Sequence, residues 1–322
     1  MVDSLKHDCA ELVEKLDYEL VTVHLVPPKG YRHPDPPKKV GDGVWEDSKG
    51  RIFKYAASND SIVAMTHSEG KETLTDADIE GAYRRAENID ESQFELIDYI
   101  AERFGNDRAI LGRDIDIYGG LVSPFGGDQS HQLILPLTNP DEIKKMYEPL
   151  LAYNRALIEG YAKRGVLVAM QGHDFGMNTG CMLPPRSIRD VYFPFQKMVV
   201  DEINKHGMVP FFHCCGRIWD ILDDFVRVGY KGYQSIQGSA GMDIPTMKQK
   251  YGDVLTLWTG VQCETLVEGT REELEREVRE SLDILMPGGG FIFGSTNSVQ
   301  YGAQTDNYLR ALEIVREHGV YR

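Results

Sequence analysis

The amino-acid sequence predicts an α/β fold, a (β/α)8 TIM-like barrel with an N-terminal hairpin and helical extension. Three observations carry this. From about Asn106 onward, short apolar runs alternate with amphipathic helical patterns six or seven times, as a parallel sheet covered by helices requires. No glycine-rich phosphate loop follows an early strand, so a doubly wound open sheet lacks its main support; Gly288-Gly289-Gly290 precedes a strand instead. Polar clusters stand directly after five of the apolar runs, where a barrel of this kind places its active site.

The elements follow in order. Residues 1–105 read as an irregular N-terminal part and residues 106–322 as the regular repeats of one domain spanning 1–322. A helix over Ser4 to Leu16 leads to a β-like run, Leu20 to Val26, stopped by Pro27-Pro28. Lys29 to Lys39 is rich in proline and charge and reads as a loop. Gly41 to Phe53 reads as a hairpin turning at Ser48-Lys49-Gly50, and helical patterns run from Thr75 to Phe104. After a strand ending near Gly112, Asn139 is placed as the N-cap of a helix reaching about Arg164, with Pro140, Asp141 and Glu142 in its first turn. The later strands are Val166–Gln171, Met208–His213, Gly232–Ile236, Val254–Thr259 and Gly290–Gly294. Helices over Ser187–His206, Ile218–Val228, Asp243–Tyr251, about 270–285 and Thr305–His318 separate and follow them, the fourth opening on a capping box, Thr270-Arg271-Glu272-Glu273.

Composition narrows the function. The chain of 322 residues is 42% apolar and 26% charged, with a net charge of −15. That balance excludes a general nucleic-acid binder, which needs a basic face, and is read as serving solubility. The stretch Met1 to Asp8 has no apolar leader region, and runs such as Val166 to Met170 are too short to span a membrane. Five cysteines, an odd count without framework spacing, point to a reducing cytoplasm with thiols free for metal binding or nucleophilic chemistry.

The five strand-end clusters are Gln171-Gly172-His173-Asp174, His213-Cys214-Cys215-Gly216, Ser235-Ile236-Gln237, Gln262-Cys263-Glu264 and Ser295-Thr296-Asn297. Polar loops alone explain one or two such clusters better than five. His213 and Cys215, two apart on an extended segment, project to one side, and imidazole with thiolate suits zinc. Cys214 points the other way, into packing. Cys263 is a further metal ligand or a small core residue. Asp174 is a proton donor, a metal ligand or a substrate anchor, with an N-cap or loop role as the plain alternative. His173 is an acid or a polar loop residue. Gln171, His173, Gln237 and Asn297 are expected to bind substrate, and all but His173 are expected, with His213 and Cys263, to face one open end of the barrel. Phe175, Phe211 and Phe212 either hold an aromatic substrate or belong to the core.

His213-x-Cys215-Gly216 between a strand and a helix resembles the H-x-C-G signature of the uroporphyrinogen decarboxylase superfamily, especially its zinc methyltransferases. Further segments resemble that family in order and spacing: Gly43-Val44-Trp45; Lys248 to Gly252; Thr259-Gly260-Val261 with Leu266 and Gly269 to Glu273; Gly288 to Phe293; Asp306-Asn307-Tyr308; and His318 to Tyr321. The resemblance covers most of residues 40–322. Two departures set the branch. The arginine-rich R-Q-A-G-R-Y motif of true decarboxylases is missing, Lys29-Gly30-Tyr31-Arg32 being the nearest fragment. The third zinc-ligating Cys of the coenzyme M methyltransferases falls near Asn297, with no Cys between Phe291 and Gln304.

The resemblance implies a corrinoid-dependent methyltransferase. It would move a methyl group from a small-molecule donor, such as a methoxylated aromatic, to cob(I)alamin on a separate corrinoid carrier protein. Zinc at His213, Cys215 and Cys263, with Asp174 and His213 as catalytic groups, would assist departure of the oxygen. The alternatives are transfer from a methyl-corrinoid to a thiol or folate, a uroporphyrinogen-type decarboxylase, and a non-catalytic barrel that docks a corrinoid protein. No corrinoid-ligating D-x-H-x-x-G motif occurs, so the corrinoid is expected on the partner.

Overall fold

The structure, a computed structural model, describes residues 2–32, 34–57, 61–65 and 68–321. Met1, in the stretch read against a leader, and His33, in the proline-rich loop, lie outside the described residues. After the first helix, Val2–Leu16, strand β1 (Leu20–Val23) opens the main sheet. A small antiparallel sheet follows: β2 (Lys38–Gly41), β3 (Val44–Glu46), β4 (Ile52–Ala56) and β5 (Ser61–Ala64). The chain returns through β6 (Ala109–Ile115) and β7 (Val168–Gly172), then makes a short hairpin of β8 (Gly176–Met177) and β9 (Gly180–Cys181). It completes the main sheet with β10 (Val209–His213), β11 (Gly232–Gln234), β12 (Thr256–Val261) and β13 (Phe291–Ser295).

The main sheet has the order β1-β6-β7-β10-β11-β12-β13, with every neighbouring pair parallel. This is the expected α/β barrel architecture, carried by seven strands among the described residues. At its two edges the flanking segments meet: the Tyr18 and Tyr308 hydroxyls are 2.5 Å apart, and Arg316 donates to the Leu16 carbonyl at 2.9 Å. No helix among the described residues is long and apolar enough to cross a membrane.

Strand alternation sorts the core into two layers. Leu111, Val168, Met170 and Phe211 pack together inside the sheet's curl, with Trp258 and Ile292 against them. Ala169, Phe212, Tyr233 and Leu257 face outward into a larger cluster with Leu157, Val199, Phe225 and Met247 of the covering helices. Gly232 makes the inner layer possible: a Cβ there would lie 2.3 Å from the Phe211 ring, its register neighbour.

Two expected helices are reorganised. A helix over Gln129–Thr138 precedes Asn139, and the next region is split into Pro140–Lys144 and Tyr147–Lys163. Asn139 does not cap: its amide instead donates to the Glu72 carbonyl at 3.0 Å and to the Glu72 carboxylate at 2.5 Å. The helix expected over Ser187–His206 is two, Pro185–Val191 and Phe193–Lys205, because Pro194 has no N–H to continue the ladder. Thr270 caps Arg271–Leu285 with the expected box to Glu273. The hairpin turning at 48–50 is present but belongs to the four-stranded sheet, its turn organised by Asp47, whose carboxylate accepts the Lys49 and Arg51 N–H groups, each at 2.9 Å.

Candidate active site

The site forms where β7 and β10 end side by side. In β10, Phe211 points inward and Phe212 outward, so His213 points inward again at the mouth. Three residues on, Gly216 takes a left-handed conformation, φ 78°, with the Gly176 backbone so close that a Cβ would meet it at 2.3 Å. That contact seats the loop leading into β8 on the chain after β10. Asp174, in the same loop, accepts the Cys215 N–H at 2.7 Å.

Asp174, His213 and Cys215 thereby converge, each offering one ligand atom, all within 4.8 Å of one another. His213 Nε2 lies 3.4 Å from Asp174 Oδ1 and 3.5 Å from Cys215 Sγ. Tetrahedral zinc with ordinary bond lengths holds such atoms about 3.3–3.6 Å apart. The donor set, one carboxylate, one imidazole and one thiolate, suits zinc and leaves a fourth position open. Burial works against charge on His213, but its hydrogen bonds with Asp174 and Cys215 outweigh this and raise it to about 10. Burial likewise opposes the Asp174 charge, while hydrogen bonds from His213 and the Cys215 N–H hold the carboxyl at about 2. The groups that concentrate this positive charge on His213 are those that would attract a metal cation.

Two side chains that sequence reasoning did not select hold this cluster. Gln234 Oε1 bonds His213 Nδ1, leaving Nε2 for Asp174 and Cys215. Ser235 Oγ lies 3.1 Å from Cys215 Sγ. Gln234 is the register partner of His213 in β11, a long-range pairing that no local pattern marks. Ser235 sat in a quoted cluster, but nothing in the sequence signals its backbone, φ 84°.

The expected binding residues divide. Asn297 donates to Cys215 Sγ at 3.0 Å, and Gln237 accepts the Gly216 N–H at 3.0 Å. Both line a cavity of about 260 Å3 with Cys215, Ser235, Cys263 and Thr296; Glu264, Val267, Glu268 and Gln300 complete its wall. Cys263 is not part of the three-residue cluster: its sulfur sits 3.7 Å from the Ser298 carbonyl and from Thr296 Oγ1. Asp174, rather than Cys263, completes the candidate metal set.

Gln171 departs from the expectation of one shared mouth. It pairs in register with outward-facing Phe212, is fully buried, and takes a hydrogen bond from Tyr230 in the layer between sheet and helices. His173 stacks on Tyr118, ring centroids 3.4 Å apart, and burial lowers it to about 4, so it is neutral at neutral pH. Phe175, Phe211 and Phe212 are core residues. No aromatic side chain is among the residues forming the cavity wall.

Comparison with known proteins bears on fold and family. Among solved structures, a methyltransferase from Methanosarcina mazei superposes with a TM-score of 0.67 at 16% identity, covering 98% of this chain and 85% of its own. A D-tagatose 3-epimerase-like protein gives a TM-score of 0.43 at 13% identity, covering 71% of this chain and 85% of its own. A xylose isomerase-like TIM barrel protein from Mycobacterium smegmatis, in complex with magnesium, gives 0.42 at 13% identity, covering 75% and 89%. No protein of curated function matches the chain. The model of the uroporphyrinogen decarboxylase (URO-D) family matches residues 125–318, a span that takes in every main-sheet strand from β7 to β13 and the whole Asp174–His213–Cys215 cluster. The chain therefore belongs to the uroporphyrinogen decarboxylase family.

Proposed function

We propose that this protein is a methyltransferase that removes a methyl group from a small, uncharged donor, a methyl ether such as a methoxylated aromatic, and passes it to cob(I)alamin on a separate carrier protein. The observation that carries the reading is the Asp174, His213 and Cys215 set at the strand-end mouth, opening beside a cavity of about 260 Å3. The likeness in fold to the Methanosarcina methyltransferase is in keeping with it. A decarboxylase acting on a polycarboxylate needs cations to grip its substrate. The cavity wall has no Lys, Arg or His and carries Glu264 and Glu268, which repel such a substrate.

Zinc held by Asp174, His213 and Cys215 would supply Lewis acidity toward a donor oxygen or sulfur. The chain's own side chains do the rest. Asn297 and Gln237 offer neutral hydrogen-bonding groups to the donor, and Val267 offers apolar surface. Gln234 keeps His213 in one orientation. A corrin ring cannot enter a cavity this small, so the carrier must cap the mouth, with cobalt, methyl carbon and leaving oxygen roughly in line.

A second reading is favoured by the ligand count: a metal held by three protein ligands would keep a fourth position, which a thiolate acceptor could fill as readily as a donor oxygen. In that case methyl flows from the carrier to a thiol. One experiment separates the two. Purified protein with zinc is mixed anaerobically with cob(I)alamin, free and carrier-bound, and a panel of methyl ethers; a parallel arm offers methylcobalamin and thiols. Loss of the Co(I) absorption with an ether supports the first reading. Thiol methylation without ether turnover supports the second, and silence in both arms removes the methyltransferase reading.

A further inference from the structure

Ser235 combines three features that set it apart from the other residues at the mouth. Its side chain is fully buried, its backbone is left-handed at φ 84°, and its hydroxyl lies 3.1 Å from Cys215 Sγ. A non-glycine residue in that conformation is strained and persists only where its surroundings hold it. The holding group is visible. The Tyr233 hydroxyl, itself fully buried, lies 3.0 Å from both the Cys214 and the Ser235 carbonyl oxygens, tying the end of β11 to the chain leaving β10. Cys214 N–H adds a bond to the Gln234 carbonyl at 3.3 Å. The strained turn at 235 is thus fixed against the residue that follows Cys214, the candidate ligand Cys215.

We propose that Ser235 is a positioning residue of the candidate metal site: its hydroxyl, aimed by the strained turn, donates a hydrogen bond to the Cys215 sulfur and, together with the Asn297 amide, draws charge from it. Once Cys215 is a thiolate it has no proton to give, so the hydroxyl must be the donor. Asn297 Nδ2 approaches the same sulfur at 3.0 Å and is a donor in any state. Two such bonds stabilise the sulfur lone pairs and weaken their donation to a bound cation, leaving the cation a stronger Lewis acid. Hydrogen bonding around a ligating sulfur is a general means of tuning a metal centre. The need for it follows from the ligand set: a carboxylate and a thiolate together neutralise a divalent cation, and the two donors restore part of its pull on the fourth ligand.

This inference rests on the metal reading of Asp174, His213 and Cys215, and the test keeps the two apart. Cobalt(II) is loaded into the wild-type protein, Ser235→Ala and Ser235→Gly, and the near-ultraviolet sulfur-to-cobalt charge-transfer band is recorded. Alanine keeps the backbone strain and removes the hydroxyl; glycine removes both, so each variant can adopt the native turn. The expected result is a red shift of the band in both variants, in the same direction and of similar size, because the sulfur electrons lose a stabilising donor. A shift in the glycine variant alone assigns the effect to backbone strain and overturns the proposal. Unshifted bands in both metal-loaded variants overturn it while leaving the metal site standing. A wild-type protein that takes up cobalt without any sulfur band, or takes up none, overturns the metal reading and this inference with it.

Discussion

In β7 the residues Val168 to Gln171 are all buried, whereas in β2 every residue from Lys38 to Gly41 is exposed. The same contrast holds for the other strands of both sheets, except that β13 of the barrel is half-buried throughout. Each barrel strand packs on two sides, the inner layer around Phe211 and the outer layer around Phe212. The antiparallel sheet β2–β5 contains no buried residue among those described. Trp45 pairs with Phe53 and Tyr55 with Ile62, so those four share one face, yet Tyr55 and Ile62 are 42% and 56% exposed. The barrel fixes its side chains by packing, and that is where residues such as Ser235 can be held under strain. The antiparallel sheet has little comparable packing and is held mainly by its own ladder.

The sharpest way to break this contrast is to truncate one residue of each kind. Phe212 stacks on Phe225 at 4.0 Å and on Tyr233 at 4.5 Å. Phe212→Ala should cost about 3–5 kcal/mol of unfolding free energy in urea titrations. Ile62→Ala, in the antiparallel sheet, should cost less than about 1 kcal/mol. Equal costs would mean that the small sheet is buried by something the isolated chain lacks.

Within the barrel, the mouth should respond in metal binding more than in folding. Gln234→Ala removes the bond that orients His213, and zinc affinity, read by chelator competition, should fall about 10- to 100-fold. An unchanged affinity would show that Asp174 and Cys215 orient the ring unaided. A smaller effect is expected where the structure bears out a sequence signal. Thr270 accepts the Glu273 N–H at 3.2 Å, and Thr270→Ala should cost about 1 kcal/mol by thermal unfolding. A loss no greater than that of a random exposed substitution would mean the cap is dispensable.

These residues also show what could be read in advance. The barrel strands, the Thr270 box and the His213–Cys215 pair were legible because each rests on local periodicity or a local motif. Gln171 was misplaced because a strand buried on both faces shows no alternation of polarity. Its facing follows from pairing with Phe212, a long-range fact. Asn139 carries the pattern of a cap, but a partner 67 residues away, Glu72, takes its amide. Asp174 was legible as a candidate with several roles; that it, rather than Cys263, meets His213 depends on the contact of Gly176 with Gly216, which no spacing encodes.

The last prediction concerns the junction where the exposed sheet gives way to the packed barrel. Asp78 lies in the first turn of the helix Asp76–Glu87, 14 residues beyond the end of β5. Its carboxylate accepts from Lys71 Nζ at 2.5 Å, from Thr75 Oγ1 at 2.7 Å and from Thr75 N–H at 2.8 Å. The bonds from Lys71 and Thr75 lower its pKa from 3.8 to about 2. A carboxylate depressed in the folded state stabilises the fold above its unfolded pKa, and that contribution disappears as pH falls through the folded value. Comparing wild type with Asp78→Asn in urea, the gap in midpoint should therefore be constant from pH 7 to about 5, narrow below about 4 and close near 2. The gap should be modest, within about 1 kcal/mol, because Asn still accepts from Thr75 and the Lys71 pair is partly exposed. A gap that persists unchanged at pH 2 would show that Asp78 acts through shape and neutral hydrogen bonding, and the junction would then resemble the barrel, held by packing, more than an ionic tie at the root of an unpacked sheet.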